Sequence, residues 1–415
     1  MLAAGAPTWC FGIERRGVSV TRIDELPVLD DVGPEFAADY VGVMRRAREQ
    51  RWLARSSIGV TVLTYPEAQE LCKDDRFIQP HVPMLHSNGI TSGHIFDAVD
   101  MAATSKDGSE HLRLRRLISH AFTPRRVERY RELMQSIVEE SVDRVADAGR
   151  CEFVADIAVG YPMGVICRML GVPDDDRPKF HGWLDEQMKI LEWADLETRQ
   201  RSAWDEMYDY LSNLLEQRRS APGEDLITAL LAAEDDGDRL THDEVIWQIN
   251  MLLGAGQDTT RCQLALAMAT FIDHPGQWQR VAAEPDVVAS AVDEVLRYVP
   301  TLMSLPKIAT TDLALHDVEI PAGTPVFISY PAVNRDPSVF TEPDRFDVGR
   351  SQAAPMTFGH GVHYCLGAVL ARMELREALP ILARRMRTPT LDGEVQWRPA
   401  AGVTGPNMLP LRFET

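Results

Sequence analysis

Cys365 lies in the segment of this chain whose residue types are most specialised for chemistry. It belongs to Phe358-Gly359-His360-Gly361-Val362-His363-Tyr364-Cys365-Leu366-Gly367, where closely spaced glycines allow a tight loop before a helical run. A sulfur at a helix N-terminus meets free amides and the positive end of the helix dipole, which favour thiolate over thiol. Such a sulfur suits a metal ligand. It also suits a nucleophile with His363 as its base, or a plain buried thiol in a turn.

Three further groupings could do chemistry. Ala255-Gly256-Gln257-Asp258-Thr259-Thr260 places an acid–alcohol pair beside a glycine inside an apolar helical run. A glycine beside such a pair weakens the local hydrogen-bond ladder of the helix and leaves room for a ligand and a water. Equally, a threonine there can bond back to its own helix while the aspartate faces solvent. His111 and Arg115, one helical turn apart, present two donors to a pair of carboxylates or form an exposed basic face. Glu294 and Arg297 are spaced i,i+3, a pairing worth only ~0.2–0.5 kcal/mol when solvated.

These residues need elements to hold them. Helical periodicity is expected over 66–73, 109–121, 125–147, 152–170, 176–193, 197–219 and 224–233. The longest pattern starts at Thr241, with Glu244 three residues on as a capping box, and stops at His274-Pro275. Further helices are expected over 286–298 and 366–386, a strand over 58–64, hairpins over 307–330, and strands near 393–398 and 409–414. The reading is mainly α with a small β portion.

The net charge of −19 repels phosphate backbones and anionic lipid, so nucleic acid and membrane surfaces are not expected partners. Six cysteines without a CxxC pair describe neither a disulfide framework nor a zinc site, and point to a reducing compartment. Met1 to Arg16 lacks the pattern of a signal peptide, and no apolar run reaches the ~20 residues needed to span a bilayer. A cytoplasmic monomer is expected.

The loop Phe-x-x-Gly-x-x-x-Cys-x-Gly resembles the haem-binding loop of the cytochrome P450 family. The other three groupings occur in the order of that family's motifs, so the resemblance runs from about residue 35 to the C-terminus. It implies one domain over 1–415, with about 1–34 as an N-terminal extension. The implied fold is helix-rich with a small β region, and haem b lies between the long central helix and the Cys-loop helix. Cys365 becomes the iron ligand, within a cofactor site of Ala255, Gly256, Phe358, Gly359 and Gly367. His111, Arg115 and His363 become propionate partners. Lys307 stands where the family commonly has another propionate-binding arginine; it keeps the charge but loses the bidentate fork. Residues 105–110 also lack a proline-rich approach to His111. Asp258 and Thr259 become the proton relay, and Glu294, Arg297 and Arg345 a structural network.

By the same resemblance the pocket takes Ile95, Phe96, Leu184, Met188, Leu252, Leu302, Met303 and Val403. Those side chains suit a terpenoid, fatty-acyl, steroid or polyketide-like substrate. The implied activity is hydroxylation with dioxygen, using electrons from a ferredoxin and an NAD(P)H-ferredoxin reductase. Seven arginines and one acid over 113–131, with five more arginines over 372–387, would form the dock. A peroxide-driven hydroxylase, a haem-thiolate isomerase and a haem-based sensor are the competing readings. The first is disfavoured by the presence of Asp258 and Thr259, the last by the absence of a visible signalling domain.

Overall fold

The computed structural model describes residues 21–188, 199–235 and 237–415. Its axis is the central helix His242–Asp273, 32 residues and so about 48 Å long. The capping box forms as expected: the Glu244 amide donates to Thr241 Oγ1 at 3.2 Å, and the Thr241 amide donates to Glu244 Oε2 at 2.8 Å. The helix runs unbroken through 254–260, so the glycines there do not open its backbone.

Most of the helix circumference is buried, because it is wrapped by helices Gly160–Leu170, Arg199–Ser220 and Ala368–Arg385. Leu252, Leu253, Leu264, Met268 and Phe271 join the side chains of those helices in one large core. A second core lies under a five-stranded sheet ordered Leu53–Arg55, Val60–Val62, Pro325–Ser329, Ser304–Ala309 and Phe77–Ile78. The pairing of 60–62 with 325–329 is parallel and the others are antiparallel. The strand Pro410–Glu414 returns to pair with Arg387–Leu391 and Arg150–Glu152, and Gln396–Trp397 pairs with Pro406–Met408.

Several expectations change. The pattern over 125–147 is two helices, Pro124–Glu128 and Arg131–Ala146, because Tyr130 leaves helical geometry at φ −98° and ψ 5°. An apolar stripe that continues on one face does not report such a break. Pro34–Gln50, His81–Ser87 and His94–Asp100 are helical although none was expected. Of the expected extension, residues 1–20 lie outside the described residues. The remainder is part of the fold: Leu26 and Leu29 are buried, and Thr21 and Val28 bridge to Val318 and Arg55. The helix expected over 176–193 is described as Arg177–Met188. No described helix is long and apolar enough to cross a membrane.

Candidate active site

A cavity of about 310 Å³ separates the central helix from the Cys365 loop. Cys365 lines it from one side; Ala255, Gly256 and Thr259 line it from the other. The loop is shaped by Gly359 and Gly361, both at φ +72°. A Cβ on Gly361 would lie 2.6 Å from the Cys72 carbonyl oxygen, so only glycine fits that approach. The Cys365 amide donates to the Phe358 carbonyl at 2.8 Å, which fixes the turn before helix Ala368–Arg385. Burial pushes the Cys365 thiol up. The amides of Gly367 and Ala368 and the charges of Arg115 and Arg372 pull it back.

Phe358, Gly359 and Gly367 line the cavity beside the sulfur. His111, Arg115 and His363 reach it together from two elements. His111 Nδ1 donates to the Ala103 carbonyl at 2.8 Å, and its Nε2 lies 3.0 Å from the Val362 carbonyl oxygen. Arg115 Nη2 donates to the Tyr364 carbonyl at 2.5 Å. The His111 and His363 rings stand 3.9 Å apart. His363 Nε2 lies 3.1 Å from Asp107 Oδ1, an acid that the sequence reading passed over. Lys307 is 3% exposed, faces Asp107 and does not line the cavity. Burial lowers its pKa, which Asp107 and then Cys72 oppose. Beside it, burial and the charges of Lys307 and His363 push His81 down to about 4.

On the central helix the acid and the alcohol part company. Thr259 Oγ1 donates to the Ala255 carbonyl at 2.7 Å and lines the cavity. Asp258 is buried and does not line it. Its carboxylate accepts from Arg398 Nη1 at 2.8 Å and Nη2 at 3.1 Å, and also from Arg261.

Comparison with known proteins settles the family. The family model described as Cytochrome P450 matches residues 179–402. Luteothin monooxygenase of Streptomyces thioluteus is 38% identical, with 94% of this chain and 96% of that protein aligned. The chain belongs to the cytochrome P450 family. The P450 named mycinamicin IV hydroxylase/epoxidase, from Micromonospora griseorubida, is 37% identical over 74% of this chain and 78% of its own length. The solved structure of P450 CYP109Q5 from Chondromyces apiculatus superposes with a TM-score of 0.86 at 31% identity, over 94% and 99% of the two chains. This P450 is accordingly a monooxygenase, an oxidoreductase of the haem-iron class.

The residues present fit the haem iron that membership implies. No described cluster of three or more His, Cys, Asp or Glu could hold a bare ion, so iron at the Cys365 sulfur must bring ligands of its own. The apolar walls suit a macrocycle, and the grouped donors of His111, Arg115 and His363 suit carboxylates at its edge.

The structural network of this P450 differs from expectation in one member. Glu294 and Arg297 side chains are 0% and 1% exposed and meet through Nε–Oε2 at 2.7 Å and Nη2–Oε1 at 3.0 Å. The third cation is Arg350, whose Nε donates to Glu294 Oε2 at 3.0 Å. Arg345 is a correction: its side chain is 60% exposed and turns to Glu342 at 3.1 Å. Only its main-chain carbonyl enters, accepting from Arg297 at 3.2 Å and Arg350 at 2.8 Å.

Of the expected pocket residues, Leu252 and Leu302 line the cavity, and Ile95, Phe96, Leu184, Met303 and Val403 do not. Ile95 is buried in the helical core and Phe96 stacks on His86 at 5.6 Å. Leu184 packs by Gly254, and Met303 packs with Leu29 and Phe36 beside the sheet. Val403 bridges to Leu302, and the Met188 side chain lies outside the described residues. Ala103, Thr104, Met251 and Leu305 line the cavity without having been foreseen.

Glu374 was missed as well. It is fully buried on helix Ala368–Arg385, lines the cavity and accepts from Thr260 Oγ1 at 3.3 Å. No cation among the described residues pairs with it, and burial raises its pKa to about 8. The folded state therefore holds a proton that the unfolded chain releases near its ordinary value of about 4.3. Stability falls as pH rises between those values, by up to about 1.4 kcal/mol per pH unit. Glu374→Gln is expected to flatten the urea midpoint between pH 5 and 8. Parallel pH profiles for the two proteins would show that the carboxyl ionises freely in the fold.

Proposed function

We propose that this P450 inserts one oxygen atom of dioxygen into an apolar, polyketide-like small molecule, using haem b and electrons from a ferredoxin. The carrying observation is that Cys365 and Thr259 face each other across one cavity with mostly apolar walls. The substrate class is supported by a further relative, a polyketide biosynthesis cytochrome P450 of Bacillus subtilis, 29% identical over 91% of this chain and 97% of its own length.

When bound, the haem supplies dioxygen activation and oxygen-atom transfer. The chain's own residues supply the rest. Cys365 gives a thiolate ligand, and His111, Arg115 and His363 neutralise the cofactor's carboxylates. Leu252, Leu302 and Leu305 exclude water and hold an apolar substrate by its surface. The Thr259 hydroxyl, released from the Ala255 carbonyl, would hold a water and hand its proton into the cavity on the side that faces Cys365. Asp258, once its carboxylate leaves Arg398 and Arg261, would take a proton from solvent and pass it to that water. A ferredoxin dock is supported by the exposed Arg125 and Arg126 on Pro124–Glu128, a segment that packs against helix Ala368–Arg385 carrying exposed Arg376 and Arg384. Arg113, Arg131, Arg372 and Arg385 of the same basic runs are already engaged by carboxylates.

The bond from Thr259 to its own helix favours a second reading, in which the hydroxyl is passive. The test begins with polyketide-like compounds screened for a shift of the Soret band. With a compound that shifts it, Thr259→Ala is expected to consume dioxygen at a near-normal rate and release hydrogen peroxide in place of product. Asp258→Asn is expected to slow the whole turnover about 10- to 100-fold, or roughly 1.4–2.7 kcal/mol of barrier. Full coupling of product to dioxygen in Thr259→Ala would establish the passive reading.

A further inference from the structure

Gln248 is a polar side chain where the periodicity of the central helix calls for an apolar one, and it is 0% exposed. Both ends of its amide are used. Oε1 accepts from the Ala103 amide at 3.1 Å, and Nε2 donates to the Met101 carbonyl at 2.5 Å. One side chain thus satisfies main-chain groups on either side of Ala102 in the connection between helices His94–Asp100 and Gly108–Ser119. Ala102 and Ala103 are buried and Met101 is half-buried, so the Ala103 amide has no water as an alternative partner.

The position of this clamp matters because of what it holds. Ala103 and Thr104 line the cavity, as do Met251, Leu252, Ala255 and Thr259 of the central helix. Gln248 precedes those four residues by three, four, seven and eleven positions, one stripe of a helix. The connection is therefore pinned at the end of the cavity remote from Thr259. The Ala103 carbonyl accepts in turn from His111 Nδ1, whose Nε2 faces the Val362 carbonyl of the Cys365 loop. Further ties are the Met101 amide to the Asp97 carbonyl at 2.8 Å, the Ser105 amide to the Ala102 carbonyl at 2.9 Å, Lys106 to Asp100 and Glu110, each at 3.1 Å, and Asp107 to the Gln79 amide at 2.9 Å and to His363 Nε2 at 3.1 Å.

We propose that Gln248 is a positioning residue that seats residues 101–104 as a fixed wall of the cavity and so governs the affinity for ligands large enough to touch that wall. Losing the amide leaves the buried Ala103 donor and the half-buried Met101 acceptor without it, which releases the wall, while the Cys365 amide keeps its own bond to the Phe358 carbonyl.

The experiment compares two azoles on the haem-loaded enzyme, the small imidazole and the longer 4-phenylimidazole, by spectral titration. Hydrogen exchange of a peptide spanning 101–105 is measured in parallel. For Gln248→Leu, exchange in that peptide is expected to rise about tenfold or more, and 4-phenylimidazole to bind about tenfold more weakly, a change of ~1.4 kcal/mol. Imidazole affinity and the reduced carbon monoxide spectrum are expected to stay within about twofold of the parent. Gln248→Glu keeps an acceptor for the Ala103 amide and loses the donor, so it should fall between, and it decides the matter if the leucine variant does not fold. Unchanged exchange at 101–105, or equal weakening of both azoles, would overturn the proposal.

Discussion

Cys365→Ala is expected to abolish the long-wavelength absorption band of the reduced, carbon monoxide-bound protein. The structure offers no replacement thiolate among the described residues. Cys72, Cys151, Cys167 and Cys262 do not line the cavity. Burial pushes their thiols up, to about 11 for Cys72 and about 12 for the other three. A thiol held that high is neutral at pH 7 and is a poor iron ligand. Among the described cysteines, Cys365 alone combines a cavity-facing sulfur with the amides of Gly367 and Ala368. A variant that retains the band would require a different sulfur at the iron and would sink the assignment. Loss of the band with haem still bound is the informative outcome, because it separates ligation from folding.

Glu294→Ala is expected to give little haem-loaded protein. The carboxylate is completely buried between Arg297 and Arg350, so its removal leaves two guanidinium groups facing each other without a counter-charge. Breaking a buried pair in this way costs about 3–5 kcal/mol, a large share of the 5–15 kcal/mol that keeps a domain folded. The same reasoning distinguishes Arg350 from Arg345. Arg350→Ala should approach the cost of Glu294→Ala, since Arg350 also donates to the carbonyls of Thr341, Glu342 and Arg345. Arg345→Ala removes only exposed pairs and should cost no more than about 1 kcal/mol. Urea midpoints of the three purified proteins make the comparison. An Arg345 variant as damaged as the Arg350 variant would contradict the geometry.

That contrast shows where sequence reading ends. Glu294 and Arg297 share a helix, so their meeting follows from a period of 3.6 residues. The third member comes from an irregular stretch in which neither Arg345 nor Arg350 has a periodic position. Which one turns inward depends on the path of the main chain. The Cys365 loop was legible for the opposite reason: its glycines encode local geometry, and the positive φ at Gly359 and Gly361 is a property of those residues.

Asp258 and Thr259 were legible as types and not as directions. Adjacent helix positions diverge by about 100°, so one faces the cavity while the other meets Arg398. Glu374 gave no signal, because a glutamate within a helix reads as a solvent-facing residue unless its neighbours in space are known. The pocket list failed most often where a residue's neighbours come from distant elements, as for Met303 beside Leu29 and Phe36.

The return of the C-terminal hairpin and strand has a consequence for the order in which the molecule is built. A ribosome completes the central helix well before it makes Arg398, which lies 140 residues beyond Asp258. Leu409, Leu411 and Phe413 fill the helical core later still, when Pro410–Glu414 joins a strand laid down at Arg150–Glu152. Until then a growing chain exposes apolar helix faces and an acid with only Arg261 beside it. Completion of the helical core is therefore a late event of synthesis, and until then the nascent protein shows the apolar surface that chaperones recognise.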